Sequence, residues 1–112
     1  KGLGHQFLKH LERTKVIVHV IDVFSEDDID PFEKFEILRA ELQEFNNEMF
    51  DKKTHIVALN KIDLLGSSDN IDKITKSFQD SGCDVYPISA HTNVGLKDLL
   101  YGIQKKIIEI GQ

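Results

Sequence analysis

The sequence predicts a three-layer α/β domain: a parallel sheet of about three strands flanked by helices. Two observations carry this. Short β-branched runs alternate with amphipathic segments in the order helix, strand, helix, strand, helix, strand, helix. Such alternation implies parallel pairing through right-handed crossovers. The first run is also apolar almost throughout, not alternating, as expected of a strand covered on both faces.

Each element has its own signal. Phe7, Leu8 and Leu11 predict a short leading helix. Val16 to Val23 is β-branched nearly throughout and reads as the first strand. Asp30-Pro31-Phe32-Glu33 reads as a helix start, with Asp30 as N-cap, Pro31 in the first turn and Glu33 closing a capping box. Phe32, Phe35, Leu38, Leu42, Phe45 and Met49 then recur every three to four residues and predict one helix through Met49. Phe45, Met49 and Phe50 are expected in the core. Ile56 to Leu59 is the second strand. Ile71, Ile74 and Phe78 mark a shorter helix ending near Gly82. Val85 to Ile88 is the third strand, and Pro87, which cannot donate to a ladder, places it at an edge or ends it. Leu96, Leu99, Leu100, Ile103, Ile107 and Ile110 give a long C-terminal helix with an apolar face.

Composition bounds the function. At 112 residues, 40% apolar and 29% charged, the chain is an ordinary globular sequence, not a disordered, collagenous or disulfide-scaffolded one. Nothing approaches the roughly 18 apolar residues of a membrane span, and no basic segment precedes an apolar one as in a secretory signal. The net charge of −5 argues against a nucleic-acid footprint across the whole domain, and no sequence-specific DNA binding is expected. The single Cys83 cannot form an internal disulfide, so an intracellular, cytoplasmic protein is expected. Lys1, in place of Met, suggests a piece of a larger product.

In open α/β sheets ligands collect beyond the carboxyl ends of the strands. Beyond the first strand stand Asp22-Val23-Phe24-Ser25, beyond the second Asn60-Lys61-Ile62-Asp63, beyond the third Ser89-Ala90-His91. Asn-Lys-x-Asp after a buried strand matches the guanine-recognition motif of GTP-binding proteins. A carboxylate in the plane of the base accepts from both the ring N–H and the exocyclic amine of guanine, a donor pair that adenine lacks. Hydrogen bonds to an ionised acceptor are worth about 1.5–3 kcal/mol each, so the pair discriminates. Asp63 takes that role in this reading. The Lys61 stem covers one face of the base, and Asn60 braces the neighbouring loops. With three fixed positions at about 5% usage each, the pattern arises by chance in one or two of a hundred chains this long. Ser89-Ala90 after the next strand, with Gly95-Leu96 opening the last helix, strengthens it.

These stretches resemble the Obg family of GTPases. Gly2-Leu3-Gly4-His5-Gln6-Phe7-Leu8-Lys9-His10-Leu11-Glu12-Arg13-Thr14 is similar to the segment after that family's second switch. His19-Val20-Ile21-Asp22 with Asp30-Pro31 resembles its next strand and loop. Asn60-Lys61-Ile62-Asp63 and Ser89 through Leu96 resemble its base-recognition elements. The resemblance covers residues 1–112 as the C-terminal half of a P-loop GTPase (Ras-like) domain, the base-recognition half. It implies Asn60, Lys61, Asp63, Ser89, Ala90 and His91 as nucleotide-binding residues, GTP or GDP as ligand and Mg²⁺ in the intact protein. It further implies GTP hydrolysis by the intact protein and a link to large ribosomal subunit assembly. The Gly-x-x-x-x-Gly-Lys-Ser/Thr phosphate cradle, the switch threonine and the Asp-x-x-Gly of magnesium binding do not occur at suitable places in this sequence. No catalytic residue or metal ligand is therefore assigned, and the chain alone is expected to be inactive.

Other residues have blander readings. The five histidines lack metal-ligand spacing. Glu26, Asp27, Asp28 and Asp30 read as a solvated loop with one helix cap. Cys83 has no basic sequence neighbour to activate it. Asp22 either contacts a switch region or caps a turn. The first strand is expected to have an open edge, prone to aggregate or to be covered by another chain. The competing functional reading is a non-catalytic α/β interaction module without nucleotide.

Overall fold

The computed structural model describes residues 4–27 and 29–111, and only the backbone of His5. Lys1, Gly2 and Leu3 of the leading segment and Asp28 of the acidic loop lie outside the described residues. The elements are α1 (His5–Leu11), β1 (Val16–Asp22), α2 (Pro31–Phe45), α3 (Asn47–Asp51), β2 (Thr54–Asn60), a 3₁₀ turn (Ile62–Leu64), α4 (Ser68–Asp80), β3 (Asp84–Pro87) and α5 (Leu96–Ile110).

The strands form a parallel sheet in the order β1-β2-β3. Alternate residues point to opposite faces, and each face has its own core. Ile21, Val57 and Leu59 pack with Phe35 of α2 and Phe78 of α4. Ile56, Ala58 and Ile88 pack with Leu99 of α5, joined by Val16, Val18, Tyr86, Leu96 and Ile103. Two helical layers therefore sandwich the sheet, and central β2 is buried on both faces. A third cluster, Leu8, Leu42 and Phe50, ties α1 to α2 and α3.

The expectation that the first strand is covered on both faces holds only in part. Val20 is 59% exposed and stands outside the α5 cluster. The reason is position: β1 lies at the sheet edge, pairing with β2 and with no other strand among the described residues. The open edge is thus present. β3 is the other edge and ends at Pro87, as that residue's missing donor dictates.

The helix expected to run unbroken through Met49 divides at Asn46. That residue is extended at φ −163°, ψ 94°, and its Oδ1 accepts the Met49 N–H at 2.9 Å. A short amide side chain here offers the backbone an alternative to the helical ladder. The break turns Met49 and Phe50 into the interior, where both are buried. At the start of α2, Asp30 Oδ2 accepts from the Phe32 and Glu33 amides at 3.0 and 3.2 Å. The return bond that Glu33 would supply in a capping box does not form among the described residues.

Candidate functional site

The candidate site lies at the carboxyl end of the sheet, where the loops after β2 and β3 meet. Residue pairing puts Asp22 beside Asn60 and Leu59 beside Pro87. Backbone bonds carry the alignment past the strand ends: Ile88 donates to Leu59 O at 2.8 Å, and Ile62 to Ile88 O at 3.2 Å. The two loops are therefore set against each other before any side chain acts.

Side chains then join them. Ser89 Oγ donates to Asp63 Oδ1 at 2.8 Å and accepts the Thr92 N–H at 3.1 Å. Ser89 is fully buried, whereas Asp63 is exposed. The carboxylate is thus tethered by one oxygen at the protein surface, and Oδ2 accepts no hydrogen bond among the described residues. Asn60 Oδ1 accepts the Ala90 N–H at 3.0 Å, and Asn60 Nδ2 donates to Asp22 Oδ1 at 3.4 Å. Lys61 Nζ lies 3.2 Å from Asp22 Oδ2.

Local backbone geometry fits these roles. Lys61 sits in the left-handed region at φ 74°, turning the chain sharply from β2 into the 3₁₀ turn that carries Asp63. Ser89 pairs with Val94 across a tight loop, its N–H donating to Val94 O at 2.9 Å. Gly95 closes that loop at φ 79°, and a Cβ there would come within 2.4 Å of Pro87 O. Only glycine allows α5 to start so close to β3.

Of the six residues assigned from sequence, five are joined directly or through one another: Asn60 to Ala90, Asp63 to Ser89, and Lys61 through Asp22 to Asn60. His91 is exposed at the start of the turn after Ala90. The Ala90 N–H is engaged with Asn60 Oδ1 in this structure.

The structure adds a residue that sequence reasoning left open. Asp22 neither caps its own turn nor stands apart; its carboxylate meets both Asn60 and Lys61. Finding it needed the register of the two strands, which end opposite each other. A second cluster was missed as well: His19 Nε2 lies 3.0 Å from His55 Nδ1, and His55 Nε2 lies 2.8 Å from Phe50 O. Burial pushes the pKa of the Cys83 thiol up.

No family model matches the chain. Curated relatives named GTPase Obg do. The protein of Acetivibrio thermocellus is 39% identical over 109 residues, covering 97% of this chain and 26% of the relative. That of Alkaliphilus oremlandii is 42% identical over 109 residues, covering 97% and 25%. That of Thermoanaerobacter sp. strain X514 is 43% identical over 110 residues, covering 98% and 25%. The chain is similar to the Obg GTPases over nearly all of its length. It spans about a quarter of the length of these Obg relatives. Among solved structures, Era in complex with MgGDPNP and a piece of 16S ribosomal RNA matches with a TM-score of 0.65 at 28% identity, over 88% of this chain and 30% of Era. Aquifex aeolicus Era bound to GDP.AlF4⁻ matches with a TM-score of 0.58 at 30% identity, over 88% and 31%. The chain thus shares a partial Ras-like α/β architecture with Era.

Proposed function

We propose that the chain is the base-recognition half of a guanine-nucleotide-binding domain in an Obg-type GTPase. The observation that carries this reading is the joint between the two loops. Asp63 is tethered to Ser89, and Asn60 to Ala90, at the end of the sheet where ligands of open α/β folds bind. A carboxylate held by one oxygen is fixed in direction while its other oxygen stays open to donors. Asp63 reads the ring N–H and exocyclic amine of guanine. The Lys61 stem packs on the base, and the Ala90 N–H, with His91 beside it, lies on the side of the base carbonyl.

GTP or GDP is the ligand in this reading, and the full-length protein hydrolyses GTP. Phosphoryl transfer depends on positioning and charge stabilisation around the phosphates and Mg²⁺. The phosphate-loop pattern is absent from these 112 residues. No group of three or more His, Cys, Asp or Glu side chains among the described residues fits a metal ion. The chain by itself turns over no GTP in this reading. Likeness to the Obg GTPases supports a role in large ribosomal subunit assembly in the cytoplasm. No helix among the described residues is long and apolar enough to cross a membrane.

The test is thermal unfolding of the full-length gene product carrying this chain, with GDP, with ADP and without nucleotide. A ligand that binds only the native state raises the midpoint by mass action. A rise with GDP and none with ADP is expected. Equal responses to both, or to neither, would contradict guanine recognition and favour the interaction-module reading.

A further inference from the structure

We propose that Asp22 is a positioning residue for base recognition, holding the Asn60 amide and the Lys61 ammonium through its two carboxylate oxygens. The inference rests on the guanine-binding reading above and gives a task to a residue that the motif does not contain.

The two oxygens divide between two successive residues of the motif. Oδ1 accepts from Asn60 Nδ2 at 3.4 Å and Oδ2 from Lys61 Nζ at 3.2 Å. The first contact fixes the direction of the Asn60 amide. A carboxylate can only accept and the Ala90 N–H can only donate, so a single orientation of the Asn60 side chain satisfies both. Through that amide, Asp22 acts on the loop that carries Ala90. The second contact fixes the far end of Lys61. A free lysine stem samples many rotamers, and a surface proposed to cover a flat base is better organised when its end is held. The pair is half exposed, so its effect on affinity is modest.

Nothing else in the site needs the Asp22 side chain. The end of the β1–β2 ladder is closed by the backbone, with Val23 N–H donating to Asn60 O at 2.9 Å. Removing the carboxylate therefore leaves the strand pairing in place and loosens two residues of the motif.

The experiment is a double-mutant cycle on GDP affinity, measured by calorimetry in the full-length gene product. D22A is made alone and on K61M, which keeps a lysine-like stem without the ammonium. Contacting residues couple and independent ones add. D22A is expected to raise the GDP Kd by about fivefold in the wild-type background and by less than about twofold on K61M. D22N retains one acceptor oxygen and is expected within about twofold of wild type. An unchanged Kd for D22A, or the same loss in both backgrounds, would overturn the proposal. Should D22A not fold, D22S, which also removes both carboxylate oxygens, replaces it in the cycle, and equal losses with and without K61M overturn the proposal equally. Asp63→Asn in parallel separates the two levels. If it exchanges guanine for xanthine preference while D22A is silent, only the positioning role falls. If it leaves preference untouched, base recognition falls and the role of Asp22 with it.

Discussion

His19 is the buried group whose charge state the fold constrains most tightly. It is 2% exposed, stacks on His55 with ring centroids 5.2 Å apart and meets Phe35 edge-on at 5.3 Å. The carbonyl of Phe50 requires a proton on His55 Nε2, so a neutral His55 accepts at Nδ1 and His19 Nε2 must donate. Burial, then the neighbouring His55 and Arg39, lower the His19 pKa from 6.5 to about 4. Between those values the unfolded chain binds a proton that the folded chain refuses. Stability is therefore fully present above pH 6.5 and is lost as the pH falls towards 4, by up to about 3 kcal/mol. Urea unfolding at pH 7 and pH 4.5 checks this against H19Q, which removes the titration while carboxylate effects remain common to both proteins. The wild type is expected to lose more stability than the variant; parallel losses would contradict it. This pair was not legible from sequence, because it needs the register that sets Ile17 beside His55 and His19 beside Val57. The same gap hid the role of Asp22. The Asn60, Asp63, Ser89 and Ala90 positions were legible as candidates, because each lies within three residues of a strand's carboxyl end and parallel order brings those ends together.

The elements follow local chemistry where one residue decides, and depart from it where two signals compete. Asp30 and Pro31 start α2, and Gly82 at φ 86° follows α4. The apolar spacing from Phe32 to Met49 is continuous across Asn46, so periodicity alone could not show the break; the Asn46 side chain prevails there by capping α3. Gly95 is the tightest constraint on any element in the site. Its positive φ and the 2.4 Å approach of a Cβ to Pro87 O leave alanine no relaxed position, because the obstacle is backbone. G95A is expected to destabilise the domain by about 1–3 kcal/mol. It should also disturb the amides of Ala90 and Thr92, because the Ser89–Val94 pairing lies beside it. Chemical denaturation together with amide NMR shifts measures both. A stability within error of wild type would show that α5 can start elsewhere. By contrast, Gly102 faces the Tyr86 hydroxyl, a side-chain end that can move aside.

At the scale of the molecule, surface is left uncovered. The chain exposes 7586 Å², whereas scaling for a compact monomer of 12.8 kDa gives roughly 6,300 Å². Val20 on the β1 edge is exposed, as are Leu100 (64%) and Ile107 on α5. Phe7, Leu11, Leu38 and Leu42 with β1 line a cavity of about 280 Å³ beneath the same edge. A cavity of about 530 Å³ is lined by Lys15, Thr54 and Lys53 at the amino ends of β1 and β2, away from Asp63. The candidate site is instead an open lip where two loops meet. Whether that lip reads guanine is decided most directly by nucleotide preference in the full-length gene product carrying Asp63→Asn. Losing a charge-assisted acceptor pair should lower GDP affinity at least about tenfold, while the new amide donates to the extra oxygen of xanthine and raises affinity for its diphosphate. Preference for GDP over the xanthine analogue that survives the substitution unchanged would contradict the account.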